Sequence, residues 1–320
     1  MRRREFVRTT TAMAFVSPFL MGTDIYALDS SPKHTFKEDD TICAFSKIFQ
    51  WLDYDSLAGF LSEAGFEGID LSVRPGGHIL PDNVEKDLPK AVKAAQKHGL
   101  TIPMIATAIT DVSDPVTKRI LKAASDTGVK YYRLGYYRYD EQLDATQNLE
   151  KVKKSLNALG ELNAKYGLQG GYQNHVGNFV GSPVWDLWYA IKDLDPEHIG
   201  CQYDVRHAVA DGLSCWMSGY RAIASHIKHV CIKDFTFRQD NNGKWGVRSV
   251  PLGTGAVDFN TYFKIRKQCN ISGPLSIHYE FPIEGDIPSL SPGERMKKIL
   301  PTIRKEADTL RTMIKNSNQA

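Results

Sequence analysis

Cysteine is scarce in this chain and falls into no usable pattern. Five residues, Cys43, Cys201, Cys215, Cys231 and Cys269, are spread over 320 positions without a C-x-x-C pair. A sparse, odd set in a chain of this size excludes a disulfide framework. A single bridge stays open in an oxidising compartment, with nothing to choose its pair. An excess of one charge is also missing. The formal charge is +3, and about +1 once the first 27 residues are set aside, so no basic field for nucleic acid remains. No glycine-rich phosphate cradle of the P-loop type occurs. No linker-like run or internal repeat of 20–50 residues appears beyond an alternation described below. At 42% hydrophobic and 24% charged residues, the composition excludes disordered and collagen-like classes.

The N-terminus is the one place with a concentrated signal. Arg2-Arg3-Arg4-Glu5-Phe6-Val7-Arg8 forms a basic head, and a mostly apolar run from Ala12 to Gly22 follows. That run is shorter than the roughly 20 apolar residues a membrane helix needs, so residues 1–27 are expected to be an export signal. Arg3-Arg4-Glu5-Phe6-Val7 resembles a twin-arginine address; an ordinary Sec signal is the alternative. Ala27 is a candidate cleavage point despite the bulky Ile25, residues 28–40 form an N-terminal extension, and an exported, periplasmic protein is expected. No other stretch is long and apolar enough for stable membrane insertion.

From about residue 41 the chain alternates short apolar runs with amphipathic segments. Strands are expected at Thr41–Phe45, Gly68–Val73, Thr101–Ala108, Lys130–Gly135, Gln169–Asn174, Gly200–Asp204, His229–Lys233 and Pro274–Glu280. Helices are expected at Tyr54–Ala64, Val84–His98, Pro115–Thr127, Asn148–Tyr166, Pro183–Leu194, Trp216–Ser225, Phe259–Gln268 and near Pro292–Lys315. Gly65, Gly99, Gly128 and Gly167 follow helical segments and suit left-handed C-caps. Eight such units predict a (β/α)₈ TIM barrel over residues 41–320, a fold of about 250 residues that forms one domain. Phe235–Gly255 reads as the longest irregular loop, lying over the barrel mouth after strand seven.

Active sites of such barrels sit at the C-terminal ends of the strands, and strand alternation sorts the candidates. Gly171, Gln173 and His175 share a face on strand five. Gln202 and Asp204 do so on strand six, with His207 in the loop beyond. His229, Cys231 and Lys233 follow on strand seven, and His278 and Glu280 on strand eight. Four consecutive strands therefore end in polar groups where a purely structural barrel carries Val, Ile and Leu. A single Asp or Glu at such a place is commonly a helix cap, but Asp204 and Glu280 recur in equivalent positions. His229 and His278 lie deeper and read as buried, hydrogen-bonded groups; Cys201 and Cys269 read as small apolar fillers. Tyr131, Tyr132, Tyr136 and Tyr137 read as wall and packing residues.

The runs Tyr172-Gln173-Asn174-His175, Asp204-Val205-Arg206-His207, Ile232-Lys233-Asp234, Pro251–Phe259 and Gly273–Glu280 together resemble the xylose isomerase-like, or sugar phosphate isomerase/epimerase, superfamily over residues 41–315. The resemblance implies a divalent metal (Mn, Mg, Co or Zn) held at positions that are Gln173, Asp204, Cys231 and Glu280 here. Gln173 and Cys231 depart from the usual Glu and His, which weakens the site for a hard cation. A thiolate at Cys231 would favour zinc instead, and His175 or His207 could complete the set. The resemblance also implies proton transfer beside a carbonyl, with the metal stabilising the enediolate, Glu280 as ligand and base, and His175 and His207 as hydroxyl-binding or acid groups. Lys233 reads as the best fixed cation at the mouth, able to steady the oxyanion if metal binding is lost. A salt bridge from Lys233 to Asp204 or Glu280 is the competing reading. Arg133, Asn174, Arg206 and His78 complete the expected substrate-binding set, with His78 an outside candidate for acid or base.

The expected substrate is a small sugar or keto-glycoside, outside the cytoplasm rather than phosphorylated. Enolisation leads to epimerisation or isomerisation, or to β-elimination if a leaving group sits on the next carbon. A non-catalytic sugar-binding protein is a reading from a different class. A DNA-repair endonuclease on the same fold would need a basic groove the composition does not provide. A homo-oligomer is allowed.

Overall fold

The structure, a computed structural model, describes residues 40–319. The expected export signal and cleavage point lie outside the described residues. Eight parallel strands close into a barrel. They are β1 (Ile42–Phe45), β2 (Gly68–Ser72), β3 (Thr101–Ala106), β4 (Tyr131–Arg133), β5 (Gln169–Gln173), β6 (Ile199–Asp204), β7 (Ile227–Ile232) and, last in the chain, β10 (Leu275–Ile277). β10 pairs with β7 on one side and β1 on the other, which closes the ring. The helices between strands are α1 (Tyr54–Glu63), α2 (Val84–Lys97), α3 (Pro115–Asp126), α4 (Ala145–Tyr166), α5 (Val184–Ile191), α6 (Val205–Gly212), α7 (Trp216–Ile223) and α8 (Phe259–Gln268); α9 (Pro292–Gln319) ends the described chain. Among the described residues no helix is long and apolar enough to cross a membrane.

Local chemistry explains the element ends. Asp53, Asp114, Asp144 and Asp258 each cap a helix by accepting a main-chain N–H of its first turn, and Asp144 completes a capping box with Gln147. Gly65, Gly99, Gly128 and Gly167 all have positive φ, the conformation in which a side chain would be strained.

Two expectations need correction. Phe235–Gly255 is not an irregular loop: it contains a two-stranded antiparallel hairpin, β8 (Asp234–Gln239) and β9 (Trp245–Val250). Its turn is Asp240–Lys244, where Gly243 has φ 76°. The alternation Phe235-Thr236-Phe237-Arg238 around an Asn-Gly turn is a hairpin signal. Secondly, His207 lies in α6, not in a loop, because Asp204 caps that helix by accepting the His207 N–H at 3.1 Å.

Strand alternation divides the molecule into two environments. Outward residues such as Leu71, Tyr132, Tyr172, Tyr203, Val230 and Ile277 are fully buried against the helices in one hydrophobic core. Each buried side chain of this size contributes about 1.5–3 kcal/mol. The inward face is polar. Asp70 on β2 accepts from Ser276 on β10 at 2.8 Å, across the intervening β1. His278 meets the same carboxylate at 3.3 Å. A Cβ on Gly171 of β5 would strike the His229 ring of β7. His278 is thus buried and hydrogen-bonded as expected, whereas neither ring nitrogen of His229 has a partner among the described residues. All five cysteines are unpaired, Cys201 and Cys231 fully buried.

Candidate active site

Four neighbouring strands deliver the site from their C-terminal ends: Arg133 ends β4, Gln173 ends β5, Asp204 ends β6 and Lys233 follows β7. Glu280 lies three residues beyond β10. The centre is the Lys233 ammonium. It lies 2.8 Å from Asp204 Oδ2 and 3.3 Å from Glu280 Oε1, and donates to His207 Nε2 at 3.1 Å. An ammonium has three N–H donors, and these three neighbours match them. Both Asp204 and Lys233 are buried, whereas the Glu280 side chain keeps 32% exposure at the mouth. The competing reading of Lys233 as a salt-bridge partner is therefore what the structure holds, with both carboxylates at once.

Gln173 bridges this centre to a second cation. Its Nε2 donates to Asp204 Oδ2 at 2.7 Å, and its Oε1 accepts from Arg133 Nη1 at 3.2 Å and from Tyr136 OH at 2.5 Å. Turning the amide over would set its NH₂ against the Arg133 donor, so the neighbours dictate its orientation. Arg206, carried by α6, lies 3.6 Å from Glu280 Oε2. Two cations, Lys233 and Arg206, thus face the carboxylates of Asp204 and Glu280, and Arg133 reaches Asp204 through the Gln173 amide.

The electrostatics follow from burial and these neighbours. Burial alone would raise the Asp204 carboxyl, but the basic groups around it, His207 and Lys233, hold it well below the usual carboxylate range. Burial likewise opposes charge on Lys233, yet Asp204 keeps its ammonium above the ordinary value. His207 is pushed down to about 3 by burial, with Lys233 adding to the effect. It is neutral at pH 7 and serves as an acceptor for Lys233 rather than as a charged acid. Burial also lowers His175. Glu280 stays below its ordinary value, burial being outweighed by Lys233 and His278.

The residues implied as metal ligands do not fit a divalent cation. The Lys233 ammonium stands between Asp204 and Glu280, where a shared cation would bind. Gln173 turns its NH₂ toward Asp204 and spends its oxygen on Arg133 and Tyr136. Burial, reinforced by Asp204, pushes the Cys231 thiol well up, which opposes the thiolate a softer metal would need. Among the described residues no group of three or more His, Cys, Asp and Glu is placed to hold a metal.

Other expected residues separate. Asn174 is fully buried and exchanges two hydrogen bonds with the Asp204 main chain, at 3.0 and 2.8 Å. That corrects its assignment from substrate contact to a clamp between β5 and β6. His78 binds the Leu52 carbonyl at 2.9 Å, over the ends of β1 and β2, and makes no described contact with the Lys233 centre. His175 does join it: its ring lies 4.4 Å from that of His207 and 5.0 Å from that of Tyr136. Tyr136 and Phe179, whose rings are 5.1 Å apart, extend this aromatic wall. Tyr136 is the wall residue the sequence suggests, whereas Phe179 carries no signal, since its position depends on how the loop after β5 folds back.

The Ile232-Lys233-Asp234 and Pro251–Phe259 motifs prove to be one device. The Asp234 carboxylate accepts main-chain N–H groups of Phe235, Gly253, Gly255 and Val257, folding the second motif around the residue after Lys233. A Cβ at Gly255 would collide with that carboxylate.

Comparison with known proteins agrees with this architecture. A segment of 158 residues is 31% identical to an inosose dehydratase of Lactiplantibacillus plantarum, covering 49% of this chain and 47% of that protein. The match therefore spans about half of either protein. Among solved structures, the 3-keto-D-glucoside 4-epimerase of E. coli superposes with a TM-score of 0.62 at 16% identity, over 85% of this chain and 99% of that one. A xylose isomerase-like TIM barrel protein of Mycobacterium smegmatis, in complex with magnesium, gives 0.60 at 15% identity, over 86% and 97%. The family model for the xylose isomerase-like TIM barrel matches residues 59–306, and the chain belongs to that family.

Proposed function

We propose that the protein is a sugar-active enzyme that removes the proton next to the carbonyl of a keto-sugar or keto-glycoside. The observation that carries the reading is Glu280, a charged and partly exposed carboxylate at the barrel mouth between two fixed cations, Lys233 and Arg206. Such a base takes the proton, the C–H electron pair becomes a C=C bond as the carbonyl π pair moves onto its oxygen, and an enediolate forms. Glu280 Oε1, at 3.3 Å, is the most distant of the three acceptors around Lys233 Nζ. Once protonated, Glu280 no longer neutralises that ammonium, whose charge then serves the new oxyanion. The wall of Tyr136, His175 and Phe179 suits the apolar face of a sugar ring.

Return of the proton to another face or carbon gives epimerisation or isomerisation, in line with the 3-keto-glucoside epimerase that shares the fold. Elimination is a second reading, favoured by the partial identity to an inosose dehydratase; there the group on the next carbon leaves as the enediolate collapses. The N-terminal address supports an exported protein acting on a free or oxidised glycoside. Incubation with 3-keto-glucosides and with inosose in deuterated water tests the proposal. Deuterium is expected beside the carbonyl in wild type and at least ~10²-fold more slowly in Glu280→Gln. Release of an aglycone or water selects elimination. A substrate that binds but never exchanges would make the protein a sugar-binding module and refute the enzymatic reading.

A further inference from the structure

We infer that Lys233 is this barrel's resident electrophile: its ammonium occupies the place of a divalent metal, and the protein works without one. The inference rests on the enolising reading for what the cation does, but on geometry alone for what the cation is. Nζ is surrounded by Asp204 Oδ2 at 2.8 Å, His207 Nε2 at 3.1 Å and Glu280 Oε1 at 3.3 Å. Two carboxylate oxygens and an imidazole nitrogen therefore surround the ammonium at hydrogen-bond and ion-pair distances, longer than metal ligation would need. A metal would bind the same carboxylate oxygens at roughly 2.0–2.6 Å, so it and Nζ would be cations in near contact.

The neighbours are adjusted to one positive charge rather than two. Where the family pattern has a charged Glu, Gln173 supplies a neutral amide and points its NH₂ at Asp204. Its other end is locked by Arg133 and Tyr136. Where the pattern has His, Cys231 supplies a small buried side chain, which leaves the space beside Asp204 to the lysine. Arg133 and Arg206 bring the cation count to three against two carboxylates, and a metal would add two further charges to that excess. Asp204 then has the role of holding the ammonium, with Asn174 clamping its main chain and His207 N–H capping its Oδ1.

Metal binding by the full chain tests this directly. Metal content after purification and titration with Mn²⁺ (followed by its paramagnetic resonance) and with Zn²⁺ (by calorimetry) should show no stoichiometric site. The triple change Gln173→Glu, Cys231→His and Lys233→Met restores the family's ligand types and should bind Mn²⁺ at least about 100-fold more tightly than wild type. One equivalent of Mn²⁺ or Zn²⁺ held by wild type at micromolar affinity, and released by Asp204→Asn, overturns the inference whether or not the triple variant folds. Deuterium exchange in the presence of a chelator separates it from the functional reading. Exchange that survives chelation supports both. Exchange that needs added metal removes the inference and leaves the reading intact. A metal-free wild type without exchange removes the reading and leaves Lys233 as the bound cation.

Discussion

Lys233→Met isolates the pair at the centre of the site. Methionine keeps most of the stem's volume and removes the charge, leaving Asp204 buried without its closest cation. At 2.8 Å and an effective dielectric near 20, the direct attraction is about 6 kcal/mol. Desolvation of both groups offsets part of it. Breaking such a buried pair from one side costs about 3–5 kcal/mol, because the surviving charge is left uncompensated. Asp204 retains hydrogen bonds from Gln173 Nε2 and the His207 N–H, which places the expected loss toward 3 kcal/mol. Urea unfolding at pH 7 measures it as a lower midpoint at unchanged slope. The pH dependence carries the sign. In wild type the Asp204 carboxyl is depressed, so its stabilisation is present above the unfolded carboxylate value and is lost only as pH falls through the folded one. Without Lys233 burial raises the same carboxyl, and the variant's deficit must shrink from pH 8 to pH 5 as Asp204 takes up a proton. Adding Asp204→Asn removes the stranded charge, so the double variant should be more stable than Lys233→Met alone. A loss below about 1 kcal/mol for Lys233→Met, or a double variant weaker than the single, would refute the electrostatic account of this centre.

Two further predictions concern groups outside the proposed catalytic set. Glu306, buried in α9 and accepting from the Leu252 N–H at 3.1 Å, is raised from 4.5 to about 7 by burial. Its folded value lies above the unfolded one, so the native state binds the extra proton and stability declines as pH rises between those values. Glu306→Gln keeps the acceptor without the charge; it should unfold like wild type near pH 4.5 and be more stable by about 1–3 kcal/mol at pH 8, and equal stability at pH 8 would contradict the assignment. Gly171→Ala places a methyl against the His229 ring and the Gln202 N–H. A loss of about 1–3 kcal/mol in chemical unfolding is expected, partly recovered when His229→Ala is added; no loss would mean the β5 and β7 faces do not meet inside the barrel.

The barrel was legible because its signals are local. Short apolar runs alternate with amphipathic segments along the chain, and glycines of positive φ end the first four helices, so each unit states its own geometry. Alternation also brought Gln173, Asp204 and Lys233 to one face, since side-chain direction along a strand is fixed by the pleat. What alternation cannot supply is which neighbour each group chooses. Asn174 and Gln173 are adjacent, and only the packed β5–β6 ends send one to the Asp204 main chain and the other to its carboxylate. Helix α6 was missed because its cap is Asp204 itself, a residue read first as chemistry; the carboxylate does both, through Oδ1 to the His207 N–H and Oδ2 to Lys233. The hairpin after β7 does leave a signal, the alternation Phe235-Thr236-Phe237-Arg238 ahead of the turn at Asp240–Lys244.

The double duty of Asp204 also bears on how the site acts. Because its other oxygen is fixed by the start of α6, Oδ2 cannot follow the ammonium if Lys233 moves; the lysine is held by a rigid anchor on one side and by the more exposed Glu280 on the other. A reaction that protonates Glu280 therefore weakens the outer contact of Lys233 and leaves the inner one unchanged. The released attraction is directed toward the barrel mouth, where the proposed enolising reaction would form its oxyanion. In that reaction Lys233 and Arg206 would face one remaining carboxylate and one enediolate, so the net charge of the site would be the same before and after proton transfer. The negative charge has only shifted from the base to the substrate oxygen. Stabilising it there needs no rearrangement of the buried groups, which is the condition under which fixed charges lower a barrier.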